Sequence, residues 1–180
     1  MTSIVVIAWG ILVSWSVSPA VAGAFDFRQV ALEIGYGAGI ENTKLARLNF
    51  QWDLFPRIYQ HRSINLIGIG QLGGGIWRGD RDIADIALTP IFRLQGSNAG
   101  ADIRPYFEAA IGFHYISEIQ MRRRVLSTNF QFGDHLAIGL VIGKNRALDI
   151  AFLFQHLSNA RIKRPNAGIN FHVLRIGYSL

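Results

Sequence analysis

Alternation of apolar and polar residues with a period of two is the feature that most restricts the fold of this 180-residue chain. The segment ARLNFQWDL, residues 46–54, shows it best, because every second residue is apolar and the residues between are polar. Successive side chains of a strand point to opposite faces, so this segment predicts a strand with one apolar and one polar face. Six further segments repeat the pattern: 29–36, 85–94, 106–115, 129–142, 147–155 and 173–180. An eighth segment, 64–77, is rich in glycine and follows the pattern less regularly.

The distribution of bulk and charge between the two faces indicates which face points inward. The apolar faces carry the large and aromatic residues, whereas the polar faces carry small residues and both signs of charge: Glu33, Arg47, Asp85, Arg93, Arg104 and Glu108. Strands of roughly ten residues cross a bilayer when tilted, and the even strand number is typical of outer-membrane barrels. The sequence therefore predicts an all-β fold, an eight-stranded antiparallel transmembrane β-barrel with its bulky apolar face towards lipid.

A soluble, lipocalin-like barrel with the large apolar residues inside remains the alternative, because periodicity alone does not distinguish the two. Only 17% of the residues are charged, against about 25% in an average soluble domain. The low charge and the interior-type ion pairs favour the membrane barrel.

The first 24 residues predict a cleavable signal peptide. Residues 4–17 are almost wholly apolar, and small residues follow in the A-x-A pattern of a cleavage site. The segment lacks a Lys or Arg before Ile4, and a membrane-anchoring helix is the alternative. We expect a signal peptide at 1–24 and the barrel at 25–180, with its catalytic motif at 156–170.

Composition limits the chemistry of the protein. The chain has no cysteine, which excludes disulfides, thiolate metal sites and a cysteine nucleophile. Its net charge of +6 is compatible with nucleic acid or with anionic lipid, but export and a barrel argue against nucleic acid. With a periplasmic N-terminus, the loops around 39–44, 78–82, 118–126 and 157–168 are expected to face outside. We expect their basic residues to pair with lipid phosphates, with a merely solvated rim as the alternative. These residues are Lys44, Arg78, Arg81, Arg122, Arg123, Arg124, Arg161, Lys163 and Arg164.

The stretch FQHLSNARIKRPNAGINF, residues 154–171, gathers polar residues just before the last predicted strand. His156 and Ser158 continue an apolar row that faces lipid, and Asn170 has the matching parity on the next strand. Polar groups on a lipid face are expensive unless they serve a purpose. A serine hydroxyl needs a neighbouring base, the base needs a third group to hold it, and Asn159 and Asn166 are candidates to stabilise an oxyanion.

This stretch resembles the lipid A 3-O-deacylase family, a group of outer-membrane acyl hydrolases also labelled acyloxyacyl hydrolases. The resemblance rests on His-Leu-Ser-Asn-Ala at 156–160 and on Pro-Asn-x-Gly at 165–168. It implies hydrolysis of the ester-linked 3-O-hydroxyacyl chain of lipid A at the outer leaflet, without metal or cofactor. It also implies that Ser158 is the nucleophile, that His156 is the general base and that Asn166 stabilises the oxyanion. Arg161, Lys163 and Arg164 belong to the basic outside loops, and we expect them to contact the substrate through its phosphates.

One position departs from the family pattern. The family has a Glu fourteen residues after the His, where this chain has Asn170. A neutral amide orients an imidazole but does not stabilise its positive charge as a carboxylate does. The nearest acids, Asp134 and Asp149, are not expected to replace the Glu. A non-catalytic structural or adhesive barrel that has lost the acidic triad member is therefore the alternative function.

Overall fold

A computed structural model of the protein describes residues 27–38, 43–97, 101–143 and 148–179. The predicted signal peptide at 1–24 lies outside the described residues. None of the described segments contains a helix that could cross a membrane. The part of the chain that the structure describes forms ten strands: β1 Phe27–Ala38, β2 Lys44–Gln60, β3 Ile64–Arg78, β4 Ile83–Gly96, β5 Ile103–Ile116, β6 Gln120–Met121, β7 Arg124–Val125, β8 Phe130–Ile142, β9 Leu148–Ser158 and β10 Ile169–Ser179.

Eight of these strands close into one antiparallel barrel in the order β1-β10-β9-β8-β5-β4-β3-β2. The first and last strands pair with each other, with Val30 opposite Tyr178 and Tyr36 opposite His172, so the sheet has no free edge. The two remaining strands, β6 and β7, form a small hairpin in the long loop between β5 and β8. The predicted eight-stranded barrel is therefore confirmed.

The barrel is inverted relative to a soluble one, as the alternation predicts. Glu33, Arg47, Arg93 and Glu108 are almost completely buried inside. The large apolar side chains of the other face, from Leu32 to Tyr178, are exposed around the whole outer surface. An outer apolar face and a polar interior are the pattern of barrels that sit in a bilayer.

Ion pairs fill the middle of the barrel. Arg47 Nη1 lies 2.8 Å from Glu33 Oε2, and Arg93 Nε lies 2.5 Å from Glu108 Oε1. Arg175 pairs with the second oxygen of Glu108. Each of these buried charges has a partner of opposite sign, which is the condition for keeping charges in a low-dielectric interior.

A cluster of large apolar side chains fills the interior at the loop end, next to β6 and β7. Trp77 and Phe171 are in ring contact with centroids 5.2 Å apart, and Leu157 and Ile169 pack in the same cluster. Leu157 and Ile169 point inward and face each other in the pairing of β9 and β10. Because side chains alternate along a strand, this anchoring turns their neighbours His156 and Asn170 to the outer surface.

The end of β2 differs from the expectation. The alternating segment ends at Leu54, but β2 continues to Gln60 and pairs with β3 there. The register shifts between Asp53 and Tyr59, which marks bulges around the proline. Proline donates no hydrogen bond, so it is tolerated in a strand at such an irregularity.

Candidate active site

Three polar residues of the predicted motif lie on the outer surface where β9 meets β10. His156 stands directly opposite Asn170 in the antiparallel register, and both are half-buried. The imidazole Nδ1 and Asn170 Oδ1 are 2.5 Å apart. Because a carboxamide oxygen only accepts, Nδ1 carries the hydrogen and donates it, which leaves Nε2 as the basic nitrogen.

Ser158 ends β9 two residues beyond His156 and shares its outward face. Side chains at such positions lie roughly 6.5 to 7 Å apart along a strand, within reach of each other. Within the described segments, no hydrogen bond joins the serine hydroxyl to the ring. Hydrogen bonds between catalytic groups often shorten only when substrate binds, so this spacing is compatible with a nucleophile and its base.

Gly168 packs against the imidazole from the loop that precedes β10. Its φ of +57° is in the left-handed region that favours glycine. A Cβ at this position would lie 2.9 Å from Cε1 of His156 and 3.5 Å from Nε2. Glycine therefore lets the loop backbone approach the edge of the ring that carries the basic nitrogen.

The two candidate oxyanion residues have different surroundings. The side-chain nitrogen of Asn159 donates to the carbonyls of Leu126 and Lys163 at 2.8 and 2.9 Å, and the residue is fully buried. Both of its amide hydrogens are thus engaged in holding the loop. Asn166 accepts the backbone N–H of Asn159 through Oδ1 at 3.1 Å and is half-buried, and its amide nitrogen takes no part in that hydrogen bond.

The loop between β9 and β10 is held by the loop between β5 and β8, which sequence reasoning did not anticipate. Arg124 donates to the carbonyl oxygens of Ala167 and Gly168 at 3.3 and 2.9 Å. Ser127 Oγ donates to the carbonyl of Pro165 at 2.5 Å. Arg124 is therefore a support of the site, although the sequence placed it with the basic rim.

The other basic residues of the motif do not join the cluster. Arg161, Lys163 and Arg164 are exposed on the loop at the open end of the barrel. Their positions suit contact with an anionic group outside the site but not with the hydroxyl of Ser158. Across residues 27–38, 43–97, 101–143 and 148–179, no group of three His, Asp or Glu side chains could hold a metal ion.

An apolar groove of about 480 Å³ lies on the outer surface of β4, β5 and β8, close to the β9 site. Phe92, Ile111 and Leu136 line it, and small residues such as Ala109 lower its floor. Asp134 forms part of its wall. Most of its lining residues are apolar, which suits a hydrocarbon chain.

A family model described as lipid A 3-O-deacylase (PagL) matches residues 44–179, about three quarters of the chain and the whole of the site. The chain belongs to the lipid A 3-O-deacylase family. The matched region contains the residues of the site described above: His156, Ser158, Asn166 and Asn170.

Two curated members of this deacylase family are similar to the chain over most of their length. Lipid A deacylase PagL of Pseudomonas aeruginosa is 28% identical over 141 residues, which cover 77% of this chain and 79% of that protein. Lipid A deacylase PagL of Bordetella bronchiseptica is 26% identical over 159 residues, 83% of each chain.

A solved structure has the same fold. The crystal structure of the outer membrane enzyme PagL matches with a TM-score of 0.76 and 24% sequence identity, covering 84% of this chain and 99% of that one. The two proteins thus share the barrel fold over almost the whole length of the solved enzyme.

Proposed function

We propose that this protein hydrolyses the ester-linked 3-O-hydroxyacyl chain of lipid A, with Ser158 as the nucleophile. The protein is a lipid A deacylase of the outer membrane, as its family and its barrel fold indicate together. The single observation that carries the site is the His156–Asn170 hydrogen bond beside Ser158 on the outward, lipid-facing surface.

The hydrogen bond to Asn170 selects the tautomer of His156 in which Nε2 accepts a proton. Ser158 Oγ attacks the acyl carbonyl carbon while its proton passes to Nε2, and the electrons of the carbonyl π bond move to the oxygen. The tetrahedral intermediate collapses, the bond to the sugar oxygen breaks, and His156 returns the proton to that oxygen. Water then attacks the acyl-enzyme with the same base and releases the hydroxy fatty acid.

The developing oxyanion needs a donor near Ser158. The amide nitrogen of Asn166 is the best-placed candidate, because its oxygen is fixed by the backbone N–H of Asn159. Asn159 holds the loop rather than the substrate, since its own amide nitrogen is bound to two carbonyls.

The position of the site explains how a lipid reaches it without leaving the bilayer. The scissile ester lies near the headgroup, and the apolar groove on β4, β5 and β8 offers room for an acyl chain. Arg161, Lys163 and Arg164 are exposed on the loop that follows Ser158, and basic side chains such as these pair well with the phosphates of lipid A. Substrate binding is therefore divided between the groove and the basic loop.

Mass spectrometry of lipid A from cells that express the protein tests this function. We expect wild type to remove one hydroxyacyl group and Ser158→Ala to remove none, with Ser63→Ala as a matched control at an exposed turn. Unchanged lipid A in wild type, with the barrel present in the outer membrane, would favour the non-catalytic barrel instead.

A further inference from the structure

The pairing of β8 with β9 places Asp134 directly opposite His156. On the other side, β10 places Asn170 opposite the same histidine. The three residues form one row across three neighbouring strands, with the imidazole in the middle. The row was not expected from the sequence, because parity alone shows which way Asp134 faces but not which residue of β9 it meets.

Apart from His156 on β9, the outward neighbours of the Asp134 carboxylate are apolar. Its side chain is exposed on the outer face, and its cross-strand neighbour on β5 is Ile111. Along β8 its outward neighbours are Phe132 and Leu136. In the described segments, no ion pair or hydrogen bond engages the Asp134 carboxylate. An unpaired acid facing lipid is costly, which points to a role that repays the loss of stability.

We propose that Asp134 supplies the negative charge that His156 needs during catalysis, while Asn170 supplies only its orientation. This inference rests on the proposed function, in which His156 becomes an imidazolium as it takes the proton of Ser158. Residues directly opposite in an antiparallel pair have Cβ atoms about 5 Å apart, so carboxylate and ring are close without touching. At that distance, in surroundings poor in water, a single charge stabilises the imidazolium substantially.

The two tasks of an acidic triad member are thus divided between two strands. Asn170 holds Nδ1 and fixes the tautomer through its hydrogen bond. Asp134 acts through His156 by its charge and is a positioning residue rather than a catalytic one. The division accounts for the amide at position 170 without loss of the reaction.

Steady-state kinetics of purified variants on lipid A in detergent micelles test the division. We expect Asp134→Asn to lower kcat by roughly 10- to 100-fold with KM changed less than about twofold, because one charge is lost and the shape is kept. Asp134→Glu should restore most of the rate. Glu118→Gln, which removes an exposed acid from the same end of the barrel, should leave kcat unchanged.

A double-mutant cycle separates charge from structure. Asn170→Asp puts a negative charge on the other side of the imidazole ring. In that background, Asp134→Asn should therefore lower kcat by less than about threefold. Removal of a charge from a lipid-facing surface does not unfold a barrel, and we expect Asp134→Asn to resist urea at least as well as wild type.

Three results would overturn the proposal. The first is a kcat of Asp134→Asn equal to that of Glu118→Gln, and the second is a rise of KM at constant kcat in Asp134→Asn. The third is a fall of kcat by the same factor when Asp134→Asn is made in wild type and in Asn170→Asp. A rise of KM at constant kcat would limit Asp134 to substrate binding in the groove whose wall it forms. A wild type that releases no acyl chain would instead overturn the proposed function, and the assignment of Asp134 with it.

Discussion

At the scale of single residues, the site depends on small side chains and amides as much as on its nucleophile. The sequence predicts that His156, Ser158 and Asn170 share the outer face, and the structure brings the histidine and the asparagine into hydrogen-bond contact. It does not predict Asp134 opposite His156 or the packing of Gly168 on the ring. Strand register and loop approach decide those contacts, and neither follows from a period of two.

Gly168→Ala should lower the rate of deacylation. The new methyl group would lie 2.9 Å from His156 Cε1, at a backbone angle that favours glycine, so the ring must shift. We expect kcat to fall by roughly tenfold or more, since small misplacements of a catalytic group cost up to about 100-fold. Gly74→Ala is the matched control, because a methyl group there would meet open space on the outer face. Equal rates for the two variants would contradict this role.

Asn166→Asp should separate loop support from oxyanion stabilisation. The carboxylate keeps an oxygen that accepts the backbone N–H of Asn159, but it loses the amide donor. We expect kcat to drop roughly 100-fold, the usual cost of one oxyanion donor, while hydrogen exchange of the Asn159 amide stays slow. A variant with full kcat would assign Asn166 to the loop alone.

At the scale of elements, the sequence pattern predicts the barrel strands but not the structure of the loops. Alternation predicts all eight barrel strands, because a half-buried strand must place every second residue on the same face. It fails at the end of β2, where bulges carry the strand past Pro56, and it misses the β6–β7 hairpin. These features depend on register shifts and on local backbone hydrogen bonds, such as the one from the N–H of Leu126 to the carbonyl of Ile119, which a period of two does not reveal.

Arg124 joins two of these loops, and its removal should loosen the site. Arg124→Ala loses the hydrogen bonds to the carbonyls of Ala167 and Gly168. We expect kcat to fall by about tenfold and hydrogen exchange to quicken in residues 159–168, because the backbone beside His156 is no longer fixed. Arg62→Ala, an exposed arginine at the opposite end of the barrel, serves as control. Unaltered exchange in the loop would refute the link.

At the scale of the whole molecule, the side chains of the barrel interior stabilise the fold, and the proposed active site lies on the outer surface. The charge on the polar face predicts the ion pairs in the middle of the barrel. It does not predict the apolar cluster at the loop end, where Trp77, Leu157 and Phe171 occupy inward positions of the polar face. This cluster anchors the ends of β9 and β10, so the outward row that includes His156 is held from inside.

Glu108→Gln should weaken the barrel without changing the reaction. The variant leaves Arg93 and Arg175 buried without the carboxylate that they share. We expect it to lose about 3 to 5 kcal/mol of unfolding free energy, measured by urea unfolding in detergent, because an uncompensated buried charge is costly. The folded fraction should keep the wild-type kcat, since the site lies on the other face of the sheet. A lower kcat in fully folded protein would show that interior and site are coupled.

Covalent trapping of the nucleophile tests the central claim most directly. A lipid-soluble fluorophosphonate should add once to wild type in micelles, and peptide mapping by mass spectrometry should place the adduct on Ser158. His156→Ala should abolish the labelling, because the serine then lacks its base. An adduct on another residue, or an unlabelled Ser158 in a folded barrel that still deacylates lipid A, would contradict the account.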